Sequence, residues 1–326
     1  MISAFTRMTL AASVAAIVSL SGSALAQDAE KYPVKPIRFV VGFSAGGPTD
    51  IPARFIADQL SKRLGERVLV DNRTGAGGMI ATREVLAQPR DGYTLLLCTH
   101  FESINTAVYR NPGFKLEDIE PISLTSRYYY GIALANNVEA DDFDSFIAYA
   151  KANPGKISYA TIGTGSAQDI FGRQIEDLAD IEMTAVPYRG GALVLPDIFA
   201  GRVQLYVAPT ANVLPNREDK KLKVVAITSP ERLEAVPDIP TLKEKGLDFV
   251  RFGWLGICAA KGTPQPILDT LNKHIREIIA MPEYQALIKK TGAIPESSTP
   301  ADLQTIIDQT LEEVAETVKQ YKLQRD

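Results

Sequence analysis

The sequence predicts an α/β fold, in which the strands of an open sheet alternate with helices. The first observation is a series of short apolar runs, which are typical of buried strands. The second is that the segments between these runs carry apolar residues at helical spacing. The third is that glycines cluster where several predicted strands give way to helices. The predicted strands are 37–43, 67–71, 93–98, 157–161, 182–187, 203–208, 222–228 and 252–259.

Stripes of apolar residues identify the amphipathic helices between these strands. The first helix is expected to close at Gly65, because glycine commonly ends helices. The last helix is expected to open at Thr299-Pro300, since proline is favoured at the first helical position. The stripes are Ile51, Phe55, Ile56, Leu60 and Leu64; Ile170, Phe171, Ile175 and Leu178; Leu271, Ile275 and Ile278; and Leu303, Ile307, Leu311, Val314 and Val318.

The first 26 residues predict an export signal. Arg7 supplies a positive charge, MTLAASVAAIVSL is a short apolar run, and Ala24-Leu25-Ala26 is a small-residue cleavage pattern before Gln27. The apolar run is shorter than the roughly 20 residues that a membrane-spanning helix needs. We therefore expect a soluble, exported protein. Removal of residues 1–26 from the 326 leaves 300, a length that predicts two domains.

Composition excludes one class of partner and predicts the state of the cysteines. The formal net charge is −4, whereas a nucleic-acid-binding protein needs a basic surface. The two cysteines, Cys98 and Cys258, lie far apart in apolar, strand-like runs. Such a pair is no disulfide framework, and we expect packed thiols rather than a bridge.

The stretch FSAGGPTD, residues 43–50, joins the first predicted strand to the first predicted helix. Ligands of open α/β sheets bind where strands end and helices begin. The first turn of a helix offers unpaired N–H groups and a partial positive charge, and Gly46 and Gly47 let the backbone approach a ligand closely. Thr49 or Asp50 is expected to cap the helix. The stretch predicts an anion-binding turn, with a plain chain reversal as the alternative.

Two further turns have the same arrangement of strand, glycines and helix. They lie in ISYATIGTGSAQDIF, residues 157–171, and in AVPYRGGALVLPDIF, residues 185–199. Ser166 follows Gly163 and Gly165 at the start of the first helix, and Arg189 lies in the second turn. Three such turns, shared between two halves of the chain, predict a cleft with anion-binding turns on opposing walls. That geometry suits a ligand with two carboxylates.

Catalysis is the weaker prediction for this cleft. His100 follows a predicted strand and could face the cleft, whereas His274 lies between charged residues on a helix and is expected at a solvated face. The sequence has no HExxH motif and no Cys–His cluster of metal ligands. Residues 163–166 do not form the G-x-S-x-G turn of a hydrolase. We expect no catalytic site, no metal and no cofactor, and an exported hydrolase remains an alternative.

Six stretches, in order along nearly the whole chain after residue 26, carry a family resemblance. They are YPVKPIRFVVGFSAGGPTDIPAR, VLVDNRTGAGG, DGYTLLL, VPYRGG, VAITSPERLEAVPDIPTLKEKG and WLGICAAKGTPQPILDTLNK. Together they closely resemble the Bug family, the periplasmic solute-binding receptors of tripartite tricarboxylate transporters. The resemblance implies a monomeric periplasmic receptor without catalytic activity, which delivers a small organic mono- or dicarboxylate to membrane permease subunits.

The resemblance also implies the fold and the domain boundaries. The expected fold is the two-domain, type II periplasmic-binding-protein (Venus-flytrap) fold with a ligand cleft between the domains. Residues 27–126 and 250–326 are then domain 1, and residues 127–249 are domain 2, so that the chain crosses between them twice. Composition alone places the boundaries near 115–135 and 229–242 instead.

Matching the family's binding turns to this chain yields the predicted site. Asp50 and Asp197 are expected to act as scaffolds, or to bind an amino or hydroxyl group of the ligand, because a carboxylate repels an anion. Arg189 either pairs with the distal carboxylate or lies at the surface. The residues implied by the resemblance are Phe43, Ser44, Ala45, Gly46, Gly47, Asp50, Gly163, Thr164, Gly165, Ser166, Tyr188, Arg189, Gly190 and Asp197.

Two departures from the family pattern complete the predicted site. THFESINTAVY places Phe101 and Glu102 after His100, and SRYYYGIAL carries Arg127 and three tyrosines where aliphatic and small residues are more usual. Side chains alternate along a strand, so at least one tyrosine can border the cleft. We add His100, Arg127 and Tyr128 to the predicted ligand-binding residues. We interpret the tyrosines as packing at the hinge, and the alternative is an aromatic lining for a flat ligand such as terephthalate.

Overall fold

The computed structural model describes residues 32–163, 165–188 and 191–326, and the predicted export signal lies outside them. The strands are Ile37–Val41 (β1), Val68–Asn72 (β2), Thr94–Thr99 (β3), Ile119–Leu134 (β4), Ile157–Thr161 (β5), Met183–Pro187 (β6), Leu205–Pro209 (β7), Lys223–Ile227 (β8), Phe252–Ala260 (β9) and Ile294–Pro295 (β10). The α-helices are Asp50–Leu64 (α1), Met79–Leu86 (α2), His100–Val108 (α3), Phe143–Ala152 (α4), Ala167–Ala179 (α5), Leu195–Phe199 (α6), Thr210–Glu218 (α7), Gln265–Ile279 (α8), Pro282–Lys289 (α9) and Pro300–Gln320 (α10). None of the helices in these ranges combines the length and the apolar character needed to cross a bilayer.

Within the described ranges the strands form one mixed sheet of ten strands. The order is β2-β1-β3-β9-β4-β7-β5-β6, and β8 and β10 pair with β4. In one half, β1 lies parallel to β2 and β3; in the other half, β5 lies parallel to β6 and β7. The long strands β9 and β4 run antiparallel to each other between these halves. Each half therefore has its own parallel strands, whose carboxyl ends can carry binding loops.

Strand β4 connects the two halves of the sheet. Its residues up to Tyr129 pair with β9, and from Tyr130 onward they pair with β7 and β8. The list of strands predicted from the sequence omits β4, although its three tyrosines were treated as strand residues, and the change of partners lies within the boundary region 115–135 that composition indicated. Most of β4 is buried, so its backbone groups need partners in the sheet rather than water.

The apolar side chains form three buried clusters that follow the halves of the sheet. The largest consists mainly of residues between Tyr129 and Phe249, with four added from outside that range, namely Ile104, Val108, Val318 and Leu323. The other two surround the remaining strands and include α1, α8 and the first part of α10. Helix α10 thus contributes Leu303 to one core and Val318 to another, and it spans both halves of the molecule.

The two cysteines form a disulfide, so the expectation of packed thiols is wrong. Strands β3 and β9 are antiparallel neighbours, and Cys98 lies opposite Gly256. Cys258, two residues farther along β9, therefore faces the same side of the sheet, with the two Cα atoms 5.8 Å apart. The two cysteines are 160 residues apart in the sequence. Their proximity depends on the register between β3 and β9, which the sequence patterns do not reveal.

The helix ends follow most of the sequence predictions. Helix α1 ends at Gly65, which adopts the left-handed conformation with φ 76°. Helix α10 begins after Thr299, whose hydroxyl accepts a hydrogen bond from the N–H of Asp302. Thr49 precedes α1 but makes no side-chain capping bond, so the expected cap at Thr49 is wrong. The Asp50 carboxylate instead binds back to the preceding turn.

Candidate functional site

A cavity of about 430 Å³ lies at the carboxyl ends of β1, β3, β5 and β7. Its walls are the turn after β1, the start of α3, the first turn of α5 and the start of α7, together with residues just before β10. Five predicted site residues line it: Phe43, Ser44, Gly46, Gly47 and Tyr128. None of the lining residues in the described part of the chain carries a charged side chain. A charged ligand group would therefore be bound there by N–H groups, hydroxyls and side-chain amides.

The turn after β1 is held by Asp50, which is almost fully buried. Its Oδ2 accepts hydrogen bonds from the N–H of Gly46 at 2.8 Å and from Nε of Arg54 at 2.7 Å, and its Oδ1 accepts one from Asn72. Burial raises the pKa of Asp50, but the hydrogen bonds from Arg54, Gly46 and Asn72 outweigh it and hold the pKa below its ordinary value. Asp50 therefore acts as an ionised scaffold for the turn.

Within this turn, only some of the N–H groups remain available to a ligand. Gly46 donates to Asp50, and Gly47 donates to the carbonyl oxygen of Ser44 at 3.3 Å. The N–H groups of Ser44 and Ala45 have no acceptor among the described residues, and both residues are exposed. The anion-binding capacity of the turn therefore lies in these two residues rather than in the two glycines.

The turn after β5 is held by a buried aspartate that the sequence analysis did not single out. Oδ2 of Asp169 accepts a hydrogen bond from the N–H of Gly165 at 2.8 Å, and Oδ1 pairs with Nε of Arg173 at 3.0 Å. Ser166 caps α5 and accepts a bond from the N–H of Asp169. A Cβ atom at Gly165 would lie 2.7 Å from Cγ1 of Val108 in α3, so this position has no room for a larger residue. Gly163, Gly165 and Ser166 are not among the residues that line the cavity, and Thr164 lies outside the described residues.

His100 is buried beside the cavity and does not line it. Its Nδ1 is 3.3 Å from the Tyr128 hydroxyl and its Nε2 is 3.1 Å from the Tyr130 hydroxyl. Burial lowers the pKa of His100 to about 3, so the ring is neutral at physiological pH. Tyr128 both lines the cavity and contacts His100, so the expectation that one of the three tyrosines borders a cleft agrees with this geometry.

Other predicted site residues lie away from the cavity lining. Arg127 pairs with Glu296 at 2.7 Å and stacks over the ring of Phe252. Asp197 accepts hydrogen bonds from the Tyr188 hydroxyl and from Arg202, and the Arg202 guanidinium holds the pKa of Asp197 below its ordinary value. Arg189 and Gly190 lie outside the described residues. His274, expected at a solvated face, is half-buried, with its ring 3.6 Å from Glu277.

Several lining residues were missed by the sequence analysis. Phe101 packs against Phe43 with 5.5 Å between ring centroids, and the buried Gln168 follows Ser166 in the first turn of α5. The sequence could have indicated both residues as site residues, because each lies in the first turn of a helix that follows a strand. Tyr206 and Asn212 also line the cavity, and only the pairing of β7 with β4 and β5 brings them there. In the described ranges no group of three or more His, Cys, Asp or Glu is arranged to hold a metal ion.

Comparison with known proteins assigns the architecture. The model of the tripartite tricarboxylate transporter family receptors matches residues 52–323. Protein BugT of Bordetella pertussis is 30% identical over 315 residues, which is 95% of this chain and 97% of BugT. The structure of the periplasmic binding protein BugD has a TM-score of 0.82 at 33% identity and covers 90% of this chain and 100% of its own. An R. palustris protein with adipate has a TM-score of 0.82 at 28% identity, over 88% and 98%. These matches confirm the two-domain α/β fold of periplasmic binding proteins.

Proposed function

The chain belongs to the tripartite tricarboxylate transporter receptor family, and we propose that it captures a small organic mono- or dicarboxylate for the permease subunits of such a transporter. The family makes it a periplasmic solute-binding receptor. One observation carries the proposal: a cavity of about 430 Å³ lies at the carboxyl ends of parallel strands, between two aspartate-braced glycine turns. That volume is in the usual range of small-molecule sites, roughly 300–1,000 Å³.

We propose that one carboxylate of the ligand binds at the turn after β1. Ser44 and Ala45 offer unpaired N–H groups there. The segment after β5 contributes Ile162 and Gln168 to the lining, and Gly163, Gly165 and Ser166 of that segment stay in the proposed site. Hydrogen bonds to a charged group contribute roughly 1.5–3 kcal/mol each, so four or five reach the about 8 kcal/mol of micromolar affinity after ordering costs. Thr164, Arg189 and Gly190, which the family resemblance implies, complete the proposed site.

Ligand binding is proposed to close two domains, residues 27–126 with 250–326 and residues 127–249. Two features support this division. The largest core is built mainly from residues between Tyr129 and Phe249, and β4 changes its strand partners between Tyr129 and Tyr130. A ligand that contacts both walls of the cavity favours the closed form, and the populations shift accordingly.

The protein is proposed to be an exported monomer that binds its solute without chemical change. The pattern of residues 1–26 supports export. Both ring nitrogens of His100 lie within hydrogen-bond distance of tyrosine hydroxyls, and His100 does not line the cavity. An exported serine hydrolase would need a histidine beside its nucleophile. Product analysis after incubation with candidate esters and acids tests this point.

An aromatic carboxylate is a second candidate ligand, which one specific observation favours. Phe43, Phe101, Tyr128 and Tyr206 all line the cavity, and the first two rings are tilted against each other. Such rings offer faces and edges to a flat ligand. The adipate seen with the R. palustris protein supports the aliphatic class instead.

The test is calorimetry and thermal shift with a panel of aliphatic and aromatic mono- and dicarboxylates, followed by analysis of the recovered ligand. We expect at least one acid to bind with micromolar or tighter affinity and to be recovered unchanged. Stabilisation by aliphatic acids alone rules out the aromatic candidate. Absence of binding by every acid, or recovery of a converted product, contradicts the proposed function.

A further inference from the structure

Gln168 lies in the first turn of α5 and lines the cavity. Its side chain is buried, with 3% of the residue exposed, and its Oε1 atom has no hydrogen-bond partner among the described residues. Buried polar side-chain atoms are nearly always paired in folded proteins, because an unpaired one loses its hydration without compensation. For an acceptor in a cavity wall, the occupant of the cavity can supply the missing donor.

A second unpaired group lies in the wall formed by the turn after β1. The hydroxyl oxygen of Thr49 is buried and lacks a partner in the described structure, and Thr49 also lines the cavity. This hydroxyl is not committed to capping α1, because Thr49 makes no side-chain capping bond. A hydroxyl can both donate and accept, whereas an amide carbonyl only accepts.

The carboxylates expected from the sequence to bind an amino or hydroxyl group are already occupied. Asp50 accepts from Gly46, Arg54 and Asn72. Asp197 accepts from Tyr188 and Arg202 and does not line the cavity. In the described lining, an acceptor for such a ligand group remains at Gln168.

We propose that Gln168 is a specificity-determining residue, which selects carboxylates carrying an additional hydroxyl or amino group, with Thr49 as a second contact to that group. This inference rests on the proposed carboxylate-binding function and names its substrate class more closely. A ligand carboxylate cannot satisfy Oε1, because both are acceptors. An unsubstituted acid leaves Oε1 unpaired in the closed site, and sites built to pair a polar group reject analogues that lack it.

The experiment compares matched acids that share a carbon skeleton, by calorimetry on the full-length mature protein. One series is succinate, malate and aspartate; the other is terephthalate and 2-hydroxyterephthalate. We expect the hydroxyl- or amino-bearing member of at least one series to bind at least about tenfold more tightly than its parent acid. Gln168→Met keeps the length of the side chain but removes the amide. It should reduce this preference to within about twofold and leave the affinity of the parent acid nearly unchanged.

Two further variants separate recognition from general damage to the fold. Gln174→Met lies on the same helix, where Gln174 contacts Thr317 and Arg251 outside the cavity, and it should keep the full preference. Thr49→Val should lower the preference for the substituted acid over its parent acid, and Thr49→Ser should retain that preference. This pair tests the proposal at the second contact if Gln168→Met fails to fold.

Three results overturn the proposal. The first is wild-type protein that binds parent and substituted acids equally. The second is a preference that survives Gln168→Met. The third is an equal loss for both members of a pair, which would show that Gln168 donates to the shared carboxylate. If no acid of either series binds, this inference fails, whereas the proposed function fails only if the wider panel of carboxylates does not bind either.

Discussion

Asp50 and Asp169 make the same contacts in the two turns that flank the cavity. Each carboxylate accepts a hydrogen bond from the N–H of the glycine four residues before it, at 2.8 Å in both turns. Each also pairs with the arginine four residues after it, Arg54 or Arg173. The first helical turns of α1 and α5 are therefore occupied by carboxylates of the protein itself, which complement the positive end of each helix.

Removal of Asp50 should loosen the first of these turns. Asp50→Ala breaks three hydrogen bonds to a buried carboxylate, so we expect the free energy of unfolding to fall by about 1–3 kcal/mol and ligand affinity to fall as well. Urea unfolding and calorimetry measure both. Asp58→Ala on the same helix is the control, because Asp58 is exposed and its partners among the described residues are Lys62 and Gln59. A similar loss of affinity in both variants would contradict a local role for Asp50.

The buried His100 should make the stability depend on pH. Its pKa is about 3 in the folded protein, against an ordinary value of 6.5, so the unfolded chain binds more protons between these pH values. The free energy of unfolding is therefore highest above about pH 6.5 and falls as the pH drops toward 3, by up to about 1.4 kcal/mol per pH unit. Replacement by His100→Gln should flatten this slope in urea titrations at several pH values. An unchanged slope in His100→Gln would refute the prediction.

Loss of the disulfide between Cys98 and Cys258 should destabilise the protein. The bridge joins β3 to β9 across 160 residues of sequence, so the unfolded chain is strongly constrained. We expect the double variant Cys98→Ala/Cys258→Ala to lose about 2–5 kcal/mol. Thermal melts with and without reductant check this, and wild type should show no free thiol after denaturation. Two titratable thiols in oxidised wild type would disprove the bridge.

Contact across the rim of the cavity should contribute to ligand affinity. Gly292 has φ 72°, and a Cβ there would lie 2.8 Å from Leu214 of α7, on the other side of the proposed domain boundary. Gly292→Ala should therefore weaken binding by roughly fivefold, in addition to a backbone cost of about 1–2 kcal/mol in stability. Gly246→Ala is the matched variant, since Gly246 has φ 82° and open space around it. Gly246→Ala should lose a similar amount of stability but keep its ligand affinity. Equal ligand affinities of Gly292→Ala and Gly246→Ala would show that the contact between Gly292 and Leu214 does not contribute to binding.

Much of the fold was predictable because local patterns determine local structure. The spacing of apolar residues predicted α1, α5, α8 and α10, and the predicted strands overlap β1–β3 and β5–β9. β4 was missed because a long strand buried on both faces has no alternation of polar and apolar residues. Its partners, and the disulfide between β3 and β9, depend on register between segments far apart in the sequence.

The sequence by itself determined the α/β class, the helix ends at Gly65 and Thr299, and the glycine turns at the exits of β1 and β5. These features depend on a few neighbouring residues, whose conformational and hydrogen-bonding preferences act locally. Tertiary structure alone decided that Cys98 and Cys258 lie within bridging distance, and that Gln168 lines a cavity together with Tyr206 and Asn212 while its carbonyl oxygen stays unpaired. Contacts between residues far apart in the sequence depend on strand register and strand order, and these are fixed only once the sheet is assembled.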